Sequence, residues 1–571
     1  MILHREWLDA AAGRRPVDLL LRRACWLDVF SGTFREGDIG VHRGRFTGPG
    51  SYEGRRVLDL EGRFLVPGFI DAHCHLESTM LTPREFARAV VPRGTTAVVA
   101  DPHEIANVLG LEGIRYLVEA SSGVPLRFRF TLPSCVPATH LETAGARLSA
   151  QELALVAEEP WVVGLGEVMN APGVLMGDPD MMGKLQLFGG RPVDGHAPGW
   201  TGKALNAYVG SGIRSDHECT SLSEAEEKLG LGMWIMIREG STARNLEALL
   251  PLVNHATVNR CMLVTDDRTP EGLLQEGHLD SVLSRAVEMG LDPVLALRMV
   301  TINPATYFGF HDMGAIAPGC LADAVVLESL GPIQVSMVLV GGKVVWSKSG
   351  GLRGFAARSA WAEAAGSFSM PSISPEGLRI PVQGKRVRLM SLVPGQITTR
   401  QEWVWPTTRD GEVVSDPERD ILKLVVAERH MGTGNLGVGL VRGFGLKVGA
   451  IASSVSHDSH NLVAVGVEDQ DILVALNEVA TMGGGLTVTA QGKVLERLPL
   501  PVAGLISHWP LERVVRRHKR VVKETAKLGC GLPDPFMVLS FLALPVIPEL
   551  KLTDLGLVDV REFRTVSLFE E

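Results

Sequence analysis

Short apolar runs alternate with amphipathic helical segments from about residue 66 to residue 310. Each run has the length of a buried strand, and the segments between them, such as PREFARAVV and LSEAEEKL, carry apolar residues at the spacing of one helix face. Eight such βα units in about 250 residues are typical of a TIM barrel. We therefore predict a (β/α)8 barrel over residues 66–311 of an α/β protein. The eight runs are VPGFIDAH, GTTAVVADP, RFRFTLPS, WVVGLGEV, RPVDGHA, GIRSDHE, MWIMIRE and NRCMLVTDD.

The segments on either side of the predicted barrel have a different pattern. Residues 1–65 and 312–350 alternate apolar and polar side chains between glycine turns, as short antiparallel strands do. We predict that these two flanks form one small β domain. Residues 351–381 are rich in Gly, Ala, Ser and Pro and are interpreted as a connector. Residues 382–571, with strand-like runs such as ILKLVVAERH and GGLTVTAQGKVL, are predicted to form a C-terminal α/β domain.

The composition argues against several classes of protein. The formal net charge of -9 offers no basic surplus for phosphates, so nucleic acid is not expected as a partner. The seven cysteines are widely spread and include no CxxC pair, which argues against a disulfide framework and a zinc ribbon. The first residues lack the apolar core of a signal peptide, and the longest apolar stretch, from Phe536, is too short to cross a bilayer. We expect a cytoplasmic protein that acts on a small molecule and binds no membrane.

Metal-ligating residue types recur at the C-terminal ends of the predicted strands, where barrel enzymes build their active sites. In the first run His73 and His75 are two residues apart, so both imidazoles face the same side of a strand. An isolated HxH is more often a pair of partly exposed surface histidines. Here, however, four other runs also end in a ligand type. The full set is His73, His75, Glu167, His196, His217 and Asp266.

Six ligand types exceed the needs of one catalytic zinc ion, which typically takes three protein ligands and a water. Two divalent ions bridged by a carboxylate and a hydroxide would use all six, and such a pair produces a nucleophile near neutral pH by lowering the pKa of bound water. We therefore predict a binuclear metal centre. Imidazole and carboxylate suit several divalent ions, so the ligands alone do not select the metal.

Longer segments resemble known families. VPGFIDAHCH, the order of the ligands along the chain and GAIAPGCLADAVVL are similar to the amidohydrolase superfamily. Within it, ESTMLTPREFARAVVPRGTTAVVADPHEIANVLG, VDGHAPG, GIRSDHE and LVTDDRTPEGLLQEGHLD resemble the bacterial adenine deaminase family. The resemblance continues through GTGNLGVGLVRGFGLKVGAIASSVSHDSHNL and DPFMVLSFLALPVIPELKLTD. It implies hydrolysis of adenine to hypoxanthine and ammonia in purine salvage, by a homodimer with two Mn²⁺ ions per subunit and Fe²⁺ or Zn²⁺ as alternatives.

The resemblance also implies catalytic roles. A hydroxide between the two ions would attack C6 of adenine, and Asp266 would take its proton and deliver it to the departing amine. Glu167 would bridge the ions. Asp267 points away from the site if its strand is regular, and a turn cap or a salt bridge near Arg268 is then its structural interpretation. An exchange of roles between the two aspartates stays open.

Seven further residues are predicted to contact the substrate or to orient a ligand, and each has a structural alternative. Asp101, Pro102 and Glu104 fit a capping box that opens a helix. Arg238 with its neighbour Glu239 fits a surface ion pair. The SHDSHNL loop fits a hydrogen-bonded turn, a cover over the substrate or the binding of an extra metal ion. The seven residues are Glu77, His103, Glu104, Arg238, Asp267, His457 and His460.

Two other functions stay open. A related amidohydrolase acting on another 6-substituted purine or a cyclic amide would carry the same strand-end ligands, although many cyclic-amide hydrolases have a carboxylated lysine where this chain has Glu167. A catalytically inactive scaffold would have lost ligands, and all six are present. The GTGNLG segment at 432–437 matches a dinucleotide-binding GxGxxG but lacks a clear strand, turn and helix around it, so we interpret it as a tight turn.

Overall fold

Strands from both sides of the barrel sequence pair into one sheet. The computed structural model of the chain describes residues 5–354 and 368–570. Helix α1 (Arg5–Ala11) comes first. The strands are β1 (Leu19–Asp28), β2 (Thr33–His42), β3 (Arg45–Pro49), β4 (Val57–Asp59) and β5 (Phe64–Pro67) before the barrel, and β15 (Ala324–Leu330), β16 (Ile333–Val340), β17 (Lys343–Ser347) and β18 (Gly351–Leu352) after it. Antiparallel pairing of β5 with β15 joins the two groups. The small β domain predicted from both flanks is confirmed.

All eight predicted barrel strands are present. These strands are almost fully buried. This explains why their sequences are continuous apolar runs rather than alternations of apolar and polar residues. The eighth strand is in two parts, because the chain leaves the sheet at Thr265. The strands are β6 (Phe69–His75), β7 (Thr95–Ala100), β8 (Arg127–Leu132), β9 (Val162–Val168), β10 (Val193–Gly195), β11 (Ser215–Asp216), β12 (Trp234–Arg238), and β13 (Cys261–Val264) with β14 (Asp266–Asp267).

The barrel is closed, and its strands follow one another around it in the order in which they occur along the chain. Parallel pairing joins β10, β9, β8, β7, β6 and β14 into one arc and β11, β12 and β13 into another. The arcs meet where β10 lies beside β11 and β13 lies beside β6. Because every strand runs in the same direction, the residues at the C-terminal ends of β6 to β14 share one mouth. The predicted TIM barrel is confirmed.

Helices and short helical turns connect the barrel strands. Several begin at a side-chain cap, including α2 at Thr82, α9 at Ser221 and α13 at Asp292. A short 3-10 helix, Glu77–Thr79, follows β6. The helices are α2 (Pro83–Val90), α3 (His103–Leu109), α4 (Leu111–Ala120), α5 (Ala150–Ala154), α6 (Ala171–Met176), α7 (Pro179–Leu187), α8 (Gly202–Gly210), α9 (Leu222–Gly230), α10 (Leu246–Leu249), α11 (Pro270–Gln275), α12 (Leu279–Glu288), α13 (Pro293–Met299) and α14 (Ile302–Tyr307).

The C-terminal domain is built on an eight-stranded sheet, with strand order β20-β19-β24-β23-β26-β25-β27-β28 in the part of the chain that the structure describes. A turn with left-handed glycines, Gly432 and Gly434, precedes β24. The elements are β19 (Val387–Leu392), β20 (Thr399–Val404), β21 (Thr407–Arg409), β22 (Glu412–Val414), β23 (Leu422–Ala427), β24 (Leu436–Arg442), β25 (Ala450–Ser453), β26 (Leu462–Gly466), α15 (Asp469–Thr481), β27 (Gly485–Ala490), β28 (Lys493–Pro499), α16 (Leu511–Lys527), α17 (Pro535–Ser540), β29 (Leu550–Thr553), β30 (Gly556–Asp559) and β31 (Arg564–Thr565).

The C-terminal domain packs directly on the barrel. Helix α16 lies against α2 and α11, and one apolar core runs from Phe86 and Phe128 of the barrel to Val463 and Leu486 of the C-terminal sheet. Part of the predicted connector, residues 355–367, lies outside the described residues. Across residues 5–354 and 368–570, no helix combines the length and apolar character that a membrane span requires.

Candidate active site

The six predicted metal ligands converge at the C-terminal mouth of the barrel. Five of the six side chains are buried, and the sixth, His196, keeps only 12% of its side-chain surface exposed. Their positions follow from the strand ends. His73 and His75 close β6, Glu167 is the penultimate residue of β9, His196 and His217 directly follow β10 and β11, and Asp266 opens β14.

Glu167 lies between two pairs of histidines, one pair facing each of its oxygens. Oε1 is 3.3 Å from His75 Nε2 and 3.9 Å from His73 Nε2. Oε2 is 2.6 Å from His196 Nδ1 and 3.3 Å from His217 Nε2. A carboxylate with a different histidine pair at each oxygen has the arrangement that a ligand bridging two ions requires.

The spacing of the ligand atoms fits a shared metal ion. Asp266 Oδ1 is 3.3 Å from His75 Nε2 and 3.6 Å from His73 Nε2. Atoms that each lie about 2.1 Å from one ion are about 3.0–4.2 Å apart, depending on the angle between them. His73 Nε2 is buried and has no hydrogen-bond partner, so it is free to bind an ion. The donor set therefore fits divalent metal ions, as the amino-acid types suggested.

Electrostatic contacts favour the ionised form of both carboxylates of this centre. Burial alone would raise the pKa of Glu167, but the charge of His217 and hydrogen bonds from His196 and His217 hold that pKa well below its usual value. Burial would likewise raise the pKa of Asp266, but the close approach of the two β6 histidines and the charge of Arg238 hold it well below the usual range. Each carboxylate therefore offers an anionic oxygen to a divalent ion.

Asp101 supports the metal centre from behind. Its backbone carbonyl is 3.1 Å from His75 Nδ1, and a hydrogen bond there directs the other ring nitrogen into the site. Its carboxylate Oδ2 accepts a hydrogen bond from Glu167 N at 3.0 Å. Gly166 makes this approach possible, because a Cβ there would lie 2.1 Å from Asp101 Oδ2. The sequence analysis assigned Asp101 to a helix cap only.

The capping-box prediction at the start of α3 is wrong. Pro102 is the N-cap of α3, and no side chain caps that end of the helix. Glu104, predicted to close the box, instead accepts a hydrogen bond from Ser78 Oγ at 2.9 Å. Asp101 and Glu104 turn towards the barrel mouth because Glu167 N and the Ser78 hydroxyl bind their carboxylates there.

Asp267 faces the pocket together with Asp266, which corrects the expectation that the two point in opposite directions. Asp266 has a left-handed backbone with φ +54°, so the strand is not regular at this position. Both carboxylates line the pocket as a result. Ser78 Oγ lies within hydrogen-bonding distance of both Asp267 Oδ1 and Glu104 Oε1, so the two carboxyl groups lie side by side.

Arg238 forms a buried ion-pair network, so its interpretation as half of a surface pair with Glu239 is wrong. Its Nη1 lies 2.9 Å from Asp266 Oδ2, and its Nη2 lies 2.8 Å from Glu218 Oε2. Glu239 instead pairs with Arg285. Glu218 was not among the predicted site residues, and its signal in the sequence is its place next to His217 in the SDHE segment.

The other predicted substrate residues lie in the pocket wall or directly behind it. His103, Glu104 and His457 line the pocket. Glu77 lies behind, where its Oε1 accepts a hydrogen bond from Ile105 N at 3.1 Å. His460 is fully buried and its Nδ1 accepts a hydrogen bond from Ser456 N at 3.1 Å. Six of the seven predicted substrate residues therefore lie in the pocket wall or directly behind it. The seventh, His460, lies deeper in the C-terminal domain.

The C-terminal domain supplies the apolar wall of the pocket, which the sequence analysis did not foresee. The fully buried Lys551 connects two parts of this wall, since its Nζ donates to the carbonyls of Ile397 at 3.0 Å and Phe541 at 2.9 Å. The wall residues are Ile397, Phe541, Leu544 and Ile547.

Comparison with known proteins agrees with this architecture. Residues 64–345, which include the barrel and its ring of ligands, match the model of the amidohydrolase family. This match defines the class of hydrolase to which the fold and the site correspond. Residues 396–564 match the model of the adenine deaminase C-terminal domain.

Full-length relatives refine that class. The chain is 48% identical over 566 residues to adenine deaminase 2 of Carboxydothermus hydrogenoformans, covering 99% of each chain. It is 48% identical to an adenine deaminase of Desulfatibacillum aliphaticivorans, again over 99% of each, and 47% identical to one of Methanothrix thermoacetophila over 99% of each. The chain belongs to the adenine deaminase family, which confirms the resemblance seen in the sequence.

Proposed function

We propose that this chain hydrolyses adenine to hypoxanthine and ammonia. The observation that carries the proposal is the position of Glu167, with a different histidine pair at each oxygen, in a chain whose full-length relatives are named adenine deaminases. Water replaces the exocyclic amine at C6, and the amine leaves as ammonia. An open site with activated water and a carboxylate for proton transfer suits this reaction.

Two divalent ions per chain are part of the proposal. When bound, they lower the pKa of a water molecule so that it can lose a proton and attack C6. They also offset the negative charge that develops during the reaction. Mn²⁺ is the proposed ion, with Fe²⁺ or Zn²⁺ as alternatives, because imidazole and carboxylate accept all three. The proposed ligands are His73, His75, Glu167, His196, His217 and Asp266.

Asp266 is the proposed proton carrier. Its Oδ2 is held by Arg238 at 2.9 Å, so Oδ1 is the oxygen that faces His73 and His75. The depressed pKa of Asp266 means that the group starts ionised and can act as a base. It would then return the proton to the departing amine as a general acid, which makes ammonia the leaving group.

The pocket offers a planar base two kinds of surface. Glu104 and Asp267, which both contact the Ser78 hydroxyl, form a polar edge that can bind ring nitrogens and their hydrogens. Phe541 and its apolar neighbours form an apolar part of the pocket wall, which suits contact with an aromatic ring. The residues proposed to line or support the substrate pocket are Glu77, His103, Glu104, Arg238, Asp267, His457 and His460.

The cellular setting is proposed on the same basis. The reaction would serve purine salvage in the cytoplasm, and the chain would act as a homodimer. The formal net charge of -9 supports a small-molecule substrate rather than nucleic acid. No membrane association is proposed.

A substrate panel tests the proposed function. Purified chain loaded with Mn²⁺ is assayed with adenine, with other 6-substituted purines, and with hydantoin and dihydrouracil as cyclic amides. We expect the highest kcat/KM for adenine, with hypoxanthine and ammonia in equal amounts, and no opening of the cyclic amides. Faster turnover of a cyclic amide than of adenine would replace the proposal with the alternative amidohydrolase function.

A further inference from the structure

We propose that the chain binds an additional divalent cation between the barrel and the C-terminal domain, held by His103, His457 and Asp458 with Glu104 beside them. This site goes beyond the two ions of the proposed reaction. The four residues come from α3 of the barrel and from the loop between β25 and β26 of the C-terminal domain. Neither domain alone carries the complete set. All four side chains are buried.

The spacing of the ligand atoms points to an ion rather than to direct hydrogen bonds. Asp458 Oδ1 is 3.8 Å from His103 Nε2 and 3.8 Å from His457 Nδ1. The ligand atoms of these three residues all lie within 4.8 Å of one another. Hydrogen bonds would bring such atoms to about 2.7–3.2 Å, whereas ligands of one ion with bonds of about 2.1 Å are about 3.0–4.2 Å apart.

Two of these residues also carry an oxygen that has no hydrogen-bond partner. Asp458 Oδ2 and Glu104 Oε2 are buried without a hydrogen-bond partner. Glu104 Oε1 lies 3.9 Å from His457 Nδ1 and would complete a fourth position. Buried carboxylate oxygens without a partner are costly, and a bound cation removes that cost.

His103 has the support expected of a metal ligand. Its Nδ1 lies 3.6 Å from both Asp101 Oδ1 and Glu167 Oε1, while its Nε2 faces Asp458. A proton on Nδ1 directed to the Asp101 carboxylate leaves the lone pair on Nε2 for an ion. This carboxylate, histidine and metal order recurs in metal sites generally.

His460 lies nearby but is not part of the ligand set. Because its Nδ1 accepts the N–H of Ser456 at 3.1 Å, the proton of the neutral ring is on Nε2. That protonated nitrogen lies 3.9 Å from Glu104 Oε2, which is too far for a hydrogen bond, and it has no lone pair for an ion. His460 therefore offers no ligand atom in this orientation, whereas His457 does.

Contacts within the protein hold the loop that carries His457. The His457 ring stacks on Phe541 with 4.5 Å between ring centroids and 11° between their planes. Asn461, at the end of the loop, donates to Thr143 O of the barrel at 2.8 Å. An ion at this position would link the C-terminal domain to the barrel mouth. The ligand side chains would keep their places in the pocket wall.

Counting bound ions tests the site. The full chain is stripped with a chelator, reloaded with Mn²⁺ or Zn²⁺ alone, and weighed by native mass spectrometry. We expect three ions in the wild-type chain, two in Asp458→Asn and two in His103→Gln. The double variant should also hold two, because both residues serve the same ion. Asp471→Asn removes a buried carboxylate of the same domain that accepts from Gly492 N, and it should keep three.

A stability measurement keeps the test independent of catalysis. In a Glu167→Gln background, which we expect to leave only the additional site, Mn²⁺ should raise the melting temperature, and adding Asp458→Asn should abolish that rise. If Asp458→Asn does not fold, His457→Gln replaces it. Two ions in the wild-type chain, or three in Asp458→Asn, would overturn the site. If the wild-type chain binds three ions but does not turn over adenine, only the proposed function is overturned. If it turns over adenine but binds two ions, only the additional site is overturned.

Discussion

Arg238 Nη1 lies 2.9 Å from Asp266 Oδ2, while the same guanidinium binds Glu218 through Nη1 and Nη2. All three side chains are buried. This contact selects which oxygen of Asp266 is left to face the histidines of β6. The proposed proton carrier is therefore oriented by a residue on another strand, and its orientation can be tested separately from its chemistry.

Replacing Arg238 should impair the reaction more than binding. Arg238→Met frees Asp266 Oδ2 and leaves two buried carboxylates without their cation, so we expect kcat to fall about 10²-fold and the free energy of unfolding to fall by about 3–5 kcal/mol. Steady-state kinetics and urea unfolding measure the two effects. Arg244→Met removes an arginine from an exposed pair with Glu276 and should behave like the wild type. An unchanged kcat in Arg238→Met would show that Asp266 needs no such support.

Removing the charge of Glu167 should remove metal and activity together. Glu167→Gln keeps the shape of the side chain but lacks the second anionic oxygen that faces His196 and His217. We expect the loss of two ions per chain and of adenine turnover, measured by plasma mass spectrometry and ammonia release on the same sample. Full activity with unchanged metal content would rule out a bridging role.

The apolar wall should depend on Lys551. Lys551→Met leaves the carbonyls of Ile397 and Phe541 without a donor, which should lower the free energy of unfolding by about 1–3 kcal/mol. Because both residues line the pocket, we also expect the KM for adenine to rise several-fold with a smaller change in kcat. Lys523→Met, at an exposed position of α16, is the control. A change in kcat alone would contradict this role.

His430 should make stability depend on pH. Its Nε2 lies 2.7 Å from Ser459 O, and burial together with the charge of Arg429 lowers its pKa to about 3. Below pH about 6.5 the unfolded chain takes up a proton that the folded chain does not. This contribution to stability is therefore lost as the pH falls towards 3, with a slope of about 1.4 kcal/mol per pH unit.

The comparison of His430→Gln with the wild type isolates that contribution. Glutamine can still donate to Ser459 O but does not titrate, so the variant should lose less stability between pH 6.5 and pH 4 in urea unfolding. His255→Gln, at an exposed position, should follow the wild type. Parallel pH curves for His430→Gln and the wild type would show that His430 is already protonated in the folded chain.

Much of the barrel site could be predicted from the sequence because its ligands follow local rules. His73 and His75 share a face through the two-residue period of a strand, and the C-terminal ends of parallel strands meet at one mouth. The structure brings the four other predicted ligands to the same place. Strand period and barrel topology therefore carried the prediction without any knowledge of side-chain packing.

The rest of the site depends on relationships that no local pattern encodes. The direction of Asp267 follows from a left-handed residue at Asp266, and a regular strand was the reasonable expectation there. The partner of Arg238 is Glu218, on a neighbouring strand end. The wall residues Ile397 and Phe541 lie far along the chain and reach the pocket only because the C-terminal domain packs on the barrel. Such contacts are set by tertiary structure.

The most direct test of the central claim is ammonia release from adenine by Mn²⁺-loaded chain, protected from air, beside an Asp266→Asn variant whose metal content is measured on the same sample. We predict rapid release by the wild type, with hypoxanthine as the other product, and none by the variant. Release at the wild-type rate from Asp266→Asn would contradict the proposed proton carrier. No release from fully loaded wild-type chain would contradict adenine as the substrate.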